Sequence, residues 1–206
     1  VAIADFQRAL CDMTLDPVLA ASVLRRGADA LSGYALTAIE QERLIAVVHQ
    51  RGMSVNCTLA RANRFAPIAD AFPLTCSLLK PWLRPLLDEL WSVHRPDNYQ
   101  FAGEVPAFSW FLQQKLSQGK VTHPYAEEIF RYECAAWALI QTLQSSAART
   151  TPERALDKSL TVRFTHDPHM LVPALERDET PPPDLPAGDY LVRLTLHGDV
   201  LDVETV

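Results

Sequence analysis

An α+β fold is the class this sequence predicts, with a mainly α-helical part over residues 1–145 and a small antiparallel β-sheet unit over residues 146–206. Three observations carry it. Helix-capping signals and helical periodicity recur through the first part. The stretch PYAEEIFRYECAAWALIQTLQ puts apolar side chains around more than half of a helix circumference. SLTVRFT and DYLVRLTLHGDVLDVETV alternate apolar and polar residues, as half-buried strands do.

Taken in order, Asp16-Pro17 opens a helix, a capping carboxylate followed by proline at the first helical position, and Gly27 stops it after Arg26. Thr37-Ala-Ile-Glu40 is a capping box for a second helix with Leu44, Ile45, Val47 and Val48 on its apolar side; Gly52 is expected to end it. A third helix begins at Ser54 or Asn56 and reaches about Arg64. The apolar segment FAPIADAFPLT then holds two prolines, each lacking an amide hydrogen. It is therefore expected to break twice: a short helix or turn from Phe65 to Phe72, then a new short helix from Pro73. After Pro81, Leu83, Leu86, Leu87, Leu90 and Trp91 recur at helical spacing up to His94. RPDNYQ connects to a helix from Pro106 to about Leu116.

The clearest element follows Pro124. Tyr125, Ile129, Tyr132, Ala136, Ile140 and Leu143 mark one face, and Phe130, Cys134 and Trp137 a second stripe, so this helix reads as central and largely buried. SSAARTTPERALD is a polar connector. SLTVRFT is a strand, HDPH a strand-to-strand turn, and HMLVPAL reads as a second strand. ERDETPPPDLPAGD is a proline-rich acidic loop, and a hairpin turning at His197-Gly198-Asp199 closes the chain.

Composition narrows the function. At 206 residues, 48% hydrophobic and 21% charged with net charge -6, the chain has material for a sizeable core but no basic stripe for a phosphate backbone. Arg61, Arg64, Lys80 and Arg84 do not change that balance. No apolar run is long enough to cross a bilayer, and the start, VAIADFQRAL, lacks the pattern of a secretory signal, so a cytoplasmic location is expected. Four cysteines at 11, 57, 76 and 134 have no metal-ligand spacing and read as reduced thiols.

No catalytic constellation emerges from the residues. His166 and His169 flank Pro168, which spoils helical ligand geometry for a metal, and the other histidines are scattered. Glu127 and Glu128 suit a solvated helix N-terminus, while Glu133, inside an apolar helix, calls for an arginine such as Arg131. The four tryptophans read as core, with one or two available as interface anchors.

The order of several marks resembles a bacterial family. They are Asn63, Phe72-Pro73, Leu79, His94, Gly103, Pro106, Phe108, Pro124-Tyr125, Glu133, Ala135 and Ala138, with SLTVRFTHDPHMLV behind them; the likeness covers roughly residues 56–175. The family comprises partner subunits of TIM-barrel multinuclear non-haem iron enzymes that modify cysteines of ribosomally made peptides, as in methanobactin, thiaglutamate and bufferin biosynthesis. The resemblance implies that this chain is not an enzyme by itself and holds no cofactor, the iron residing in a heterodimeric partner. It further implies a helical part that docks on the barrel and a C-terminal sheet that receives the leader of a precursor peptide. Strand addition would serve that purpose. The candidate peptide-binding residues are then Leu160, Val162, Arg163 and Phe164 on one strand and Tyr190, Val192, Arg193 and Leu194 on another, the edges taken being 160–164 and 190–196. Candidate partner-interface residues are Asn63, Arg64, Phe65, Phe72, Pro73 and Trp82. The family has also carried a DNA-binding label, so a transcriptional regulator is the alternative.

Overall fold

The structure, a computed structural model, describes residues 3–96, 101, 103–147, 158–198 and 200–206, with 143–147 by backbone alone. Most of the expected connectors RPDNYQ and SSAARTTPERALD, and Asp199 of the hairpin turn, lie outside the described residues. Packing divides the chain into two compact units, residues 1–67 with 91–104 and residues 68–90 with 105–206. That division differs from the compositional break at residue 145.

The first unit is helical. It contains α1 (Ile3–Leu15), α2 (Pro17–Arg26), a 3₁₀ turn (Gly27–Leu31), α3 (Ala38–Val48) and most of α4 (Arg51–Ala71). Both predicted starts form. The Asp16 side chain accepts from the amides of Val18 (2.8 Å) and Leu19 (3.2 Å), and Thr37 and Glu40 complete a reciprocal capping box. Gly27 ends α2 at φ 60°, where a side chain would be strained. Ala9, Met13, Val23, Leu31 and Leu44 meet in the core of this unit. Gly52 corrects an expectation: it lies inside α4, because α3 already ends at His49, whose amide returns to the Ile45 carbonyl.

The segment FAPIADAFPLT breaks once, not twice. Helix α4 runs through Pro67 and stops at Ala71; only the pair Phe72-Pro73 turns the chain, Pro73 opening the short α5 (Pro73–Leu78). An interior proline costs ~3 kcal/mol. Ile68 and Phe72, both fully buried, supply burial of the same order next to it. Helix α6 (Lys80–Val93) likewise contains Pro85.

The second unit is built around α8 (Ala126–Ala147), accompanied by α7 (Glu104–Ser117) from Val105 onward. Phe72 packs between Phe108 and Phe130 at ring separations of 5.7 and 5.6 Å. Ile129 and Phe130 of α8 are buried as expected, whereas Ile140 is 40% exposed.

Beyond α8 come β1 (Lys158–His166), α9 (Pro168–Glu176), β2 (Ala187–His197) and β3 (Val200–Thr205). The three strands form one antiparallel sheet in the order β1-β2-β3. HMLVPAL, expected as a strand, is helix α9, and HDPH is a strand-to-helix turn. Asp167 caps that helix by accepting the His169 amide at 2.9 Å, and Pro168 takes its first position. In the sheet, Val162 faces Val192, Phe164 faces Tyr190 and Leu194 faces Val203. The even-numbered side chains Val162, Phe164, Val192, Leu194 and Leu196 are buried, and the Tyr132 ring of α8 meets Phe164 at 5.8 Å.

Candidate functional site

Strand β1 is an edge of the sheet, while β2 is paired on both sides over Val192–Leu196. Of the two expected docking edges, 190–196 is therefore central and is closed along most of its length; 160–164 lies on the open side. The ladder sets what that side offers. In an antiparallel pair, backbone groups alternate between facing the neighbour and facing away. Helix α8 marks the outward parity, because Arg131 donates to the Arg163 carbonyl (3.3 Å) and the Thr165 amide donates to Glu128 (2.7 Å). Ser159 and Thr161 thus direct both backbone groups outward, and Arg163 its amide. Among the described residues no strand covers them.

The eight expected peptide-binding residues separate by face. Val162, Phe164, Val192 and Leu194 point into the core and are unavailable to a ligand's side chains. Tyr190 is half-buried, and Leu160 is 41% exposed at the rim of the same face. Arg163 and Arg193 stand on the polar outer face and are paired there, Arg163 with both oxygens of Asp189 (2.6 and 3.0 Å) and Arg193 with Glu204 (2.9 Å). These pairs are exposed and contribute little to stability, so a guest carboxylate can exchange into them at small cost.

Where the open edge ends, the structure assembles a group whose members lie far apart in the sequence. The Glu128 carboxylate, 3% exposed, accepts the Thr165 amide (2.7 Å) and hydroxyl (3.0 Å) and meets His166 Nδ1 at 2.7 Å. The expected solvation of Glu128 is corrected: it faces β1, not water. The His166 ring lies edge-on to Tyr125 at 4.7 Å, Tyr125 packs on His123 at 5.5 Å, and His123 on Trp82 at 6.0 Å. Burial holds His123 below the usual imidazole pKa. The Tyr125 hydroxyl donates to the Pro182 carbonyl (2.7 Å), with that of Pro183 at 3.0 Å, fastening the proline-rich loop. His169 is exposed on α9, and no group of three or more His, Cys, Asp or Glu side chains placed to hold a metal ion occurs among the described residues. The sequence offers Tyr125 only as a helix-face residue and Glu128 only as a helix-end carboxylate, because their hydrogen-bond partners lie 57 and 38 positions away.

The six expected interface residues divide in the same way. Phe72 is fully buried, and Arg64, 2% exposed, bonds the Glu104 carboxylate (2.6 Å) and the His94 carbonyl (2.9 Å) and lies over the Trp91 ring. Both are core residues, so neither serves a surface. Phe65 is half-buried. Asn63 is exposed in the first unit, at a groove of ≈ 420 Å³ lined also by Leu10, Cys11, Leu15 and Leu59. Pro73 and Trp82 are exposed in the second. Of the tryptophans expected in the core, Trp82 is 49% and Trp110 69% exposed. Lys80 pairs with Asp178 at the surface. Cys57, Cys76 and Cys134 have thiols held above the ordinary range by burial, that of Cys76 at about 12.

Glu133 lacks the expected arginine. It accepts the backbone amides of Leu74 and Thr75, across the corner made by Phe72-Pro73.

No family model, curated protein or solved structure matches this chain. The fold and the site define a helical protein carrying a three-stranded sheet whose outer strands, β1 and β3, are each paired on one side only among the described residues. No helix among the described residues is long and apolar enough to cross a membrane.

Proposed function

We propose that this chain is a non-catalytic accessory subunit that binds a ribosomally made precursor peptide and presents its cysteine-containing region to a TIM-barrel non-haem iron enzyme. The observation that carries the reading is the outer edge of β1, where Ser159, Thr161 and Arg163 direct backbone groups away from the sheet. An extended peptide added there gains backbone hydrogen bonds without displacing any described strand. Sequence resemblance to partner subunits of iron enzymes supplies the kind of peptide and the kind of partner. The division of labour puts redox chemistry on the partner's iron and recognition on this chain.

The test is a reconstitution. Genes beside the one for this chain are expected to encode an iron-barrel enzyme and a short cysteine-containing peptide. The enzyme and this chain should co-purify as a heterodimer, and the peptide should titrate onto this chain alone. Absence of both complexes overturns the reading, as does peptide conversion by the purified chain without a companion. Salt-dependent duplex DNA binding in place of peptide binding would favour the regulator alternative.

A further inference from the structure

We propose that Glu128 and His166 form a proton-accepting pair for a cysteine thiol of a peptide seated on the β1 edge. The inference rests on the peptide-binding reading above and names the chemistry at the end of that edge.

The pair fixes which imidazole nitrogen is free. Glu128 lies in the first turn of α8, where the helix end favours a carboxylate. Its Oε2 already accepts the amide and hydroxyl of Thr165. Oε1 is 2.7 Å from His166 Nδ1, so Nδ1 carries the hydrogen and donates it. A neutral imidazole has only one such hydrogen, which leaves Nε2 with a lone pair. That atom has no hydrogen-bond partner among the described residues. Among the described residues the buried unpaired side-chain atoms are Thr75 Oγ1 and His94 Nε2, so His166 Nε2 is not one of them. The His166 side chain is 24% exposed. Nε2 therefore opens to solvent, oriented by a carboxylate that is itself almost inaccessible. Among the described residues the Tyr125 ring also meets this imidazole, and His123 stands behind Tyr125.

The position suits a peptide. Glu128 closes the edge by taking the Thr165 amide, and His166 follows directly in the chain. From Arg163, the last open position, to His166 is three residues, ~10 Å of strand. A chain leaving the edge in that direction passes the imidazole.

The proton donor is chosen by matching. Peptide carboxyls are already ionised at neutral pH, and alcohols hold their protons far more tightly than imidazole can accept them. A thiol ionises near 8.5 and an imidazole near 6.5, about two units apart, which is the range in which an oriented base is effective. In the step, the S–H bond breaks and an N–H bond forms at Nε2. The products are a thiolate and an imidazolium, Nδ1 keeps its hydrogen and goes on donating it to Glu128, and no electron changes hands. His166 is the proton acceptor and Glu128 a positioning residue.

The experiment uses the full chain and the short cysteine-containing peptide expected from a neighbouring gene. The thiol is titrated by its ultraviolet thiolate absorbance, as the difference from the corresponding serine peptide, free and with this chain at saturation fixed from each variant's own Kd. The expected result is an apparent thiol pKa about one unit lower when bound. His166→Asn retains an N–H for Glu128 but lacks Nε2, and should remove the shift. Glu128→Gln should also remove it, because an amide facing Nδ1 can reverse the tautomer; circular dichroism checks its folding, and His166→Asn decides alone if that variant fails to fold. A bound peptide with an unshifted thiol overturns the pair and leaves the peptide-binding reading intact. A shift retained in His166→Asn does the same. Failure of the peptide to bind overturns both.

Discussion

The Glu133 carboxylate on α8 accepts the Leu74 amide at 2.6 Å and the Thr75 amide at 2.8 Å, so the first turn of α5 is closed by a side chain from another helix. Phe72 and Pro73 cannot do this locally: Phe72 has no polar side chain, and no side-chain cap forms at it. The corner that interrupts the apolar run after α4 thus depends on one carboxylate 59 positions further along.

That dependence gives a pH signature. Burial pushes the Glu133 carboxyl up to about 7 from its ordinary 4.5, against the two amides, which favour the charged form. A carboxyl whose folded pKa is raised contributes stability below its unfolded pKa and loses it as pH rises through the folded value. Between about pH 4.5 and 7, stability from this group should therefore fall with rising pH, by on the order of 3 kcal/mol in all. Urea midpoints of the wild type and Glu133→Gln across that range isolate it: the difference between the two proteins should vary with pH in that direction. A difference independent of pH would remove Glu133 as its source.

A second prediction concerns the first unit. Arg64 and Glu104 are 2% and 0% exposed, and Trp91 Nε1 completes the carboxylate's bonding at 3.0 Å. Arg64→Ala strands a buried carboxylate and should cost about 3–5 kcal/mol, read as a fall in the urea midpoint. Arg64→Met with Glu104→Gln removes both charges and should recover most of that loss. Equal destabilisation by the two variants would mean that packing over Trp91, not charge pairing, is what Arg64 supplies.

What was legible in the sequence was local. Asp16-Pro17 and Thr37 with Glu40 start helices through contacts within three residues, and the alternation in SLTVRFT reports a strand because one of its faces is buried. Asp167-Pro168 is the same capping signal as Asp16-Pro17, yet it follows a strand and so reads as a turn; only the helix behind it decides. Pro67 misleads in the opposite sense, since one lost hydrogen bond does not outweigh the burial around Ile68. The pairing of Glu128 with His166, the amides held by Glu133 and the central place of β2 each join distant segments. No spacing within one segment encodes them. Arg64 and Phe72 were expected at a surface because their partners, Glu104, Phe108 and Phe130, come from other helices.

The Tyr125 hydroxyl gives a third prediction. It donates to the Pro182 carbonyl and lies 3.4 Å from the buried Leu185 amide, which donates back to it. Tyr125→Phe keeps the ring contact with His166 but leaves that amide without its partner, a loss of about 1–3 kcal/mol. The loop around Pro182 should become the first site cut in limited proteolysis. An unchanged cleavage pattern would show that Pro181 and Leu185, both buried, hold the loop without the hydroxyl.

The last prediction separates strand addition from every other way of holding a peptide. Thr161 sends its amide outward from β1, so Thr161→Pro deletes a donor that no described strand uses. Proline is tolerated on an edge strand at such positions, and the melting temperature should move by only a few degrees, corresponding to about 1 kcal/mol. Peptide affinity should fall at least tenfold, because the guest strand loses a backbone bond and meets the ring in its place. Val192→Pro is the contrast. Its strand is paired on both sides, so that substitution should damage the sheet itself, and lost binding there says nothing about the edge. Reversing Arg163 to Glu tests charge separately: it should weaken an acidic leader in a salt-sensitive way while leaving the backbone ladder in place. If Thr161→Pro binds as the wild type does, the peptide does not use the β1 edge. The outer flank of β3, the other end of the sheet, would then be the position to examine by the same substitution.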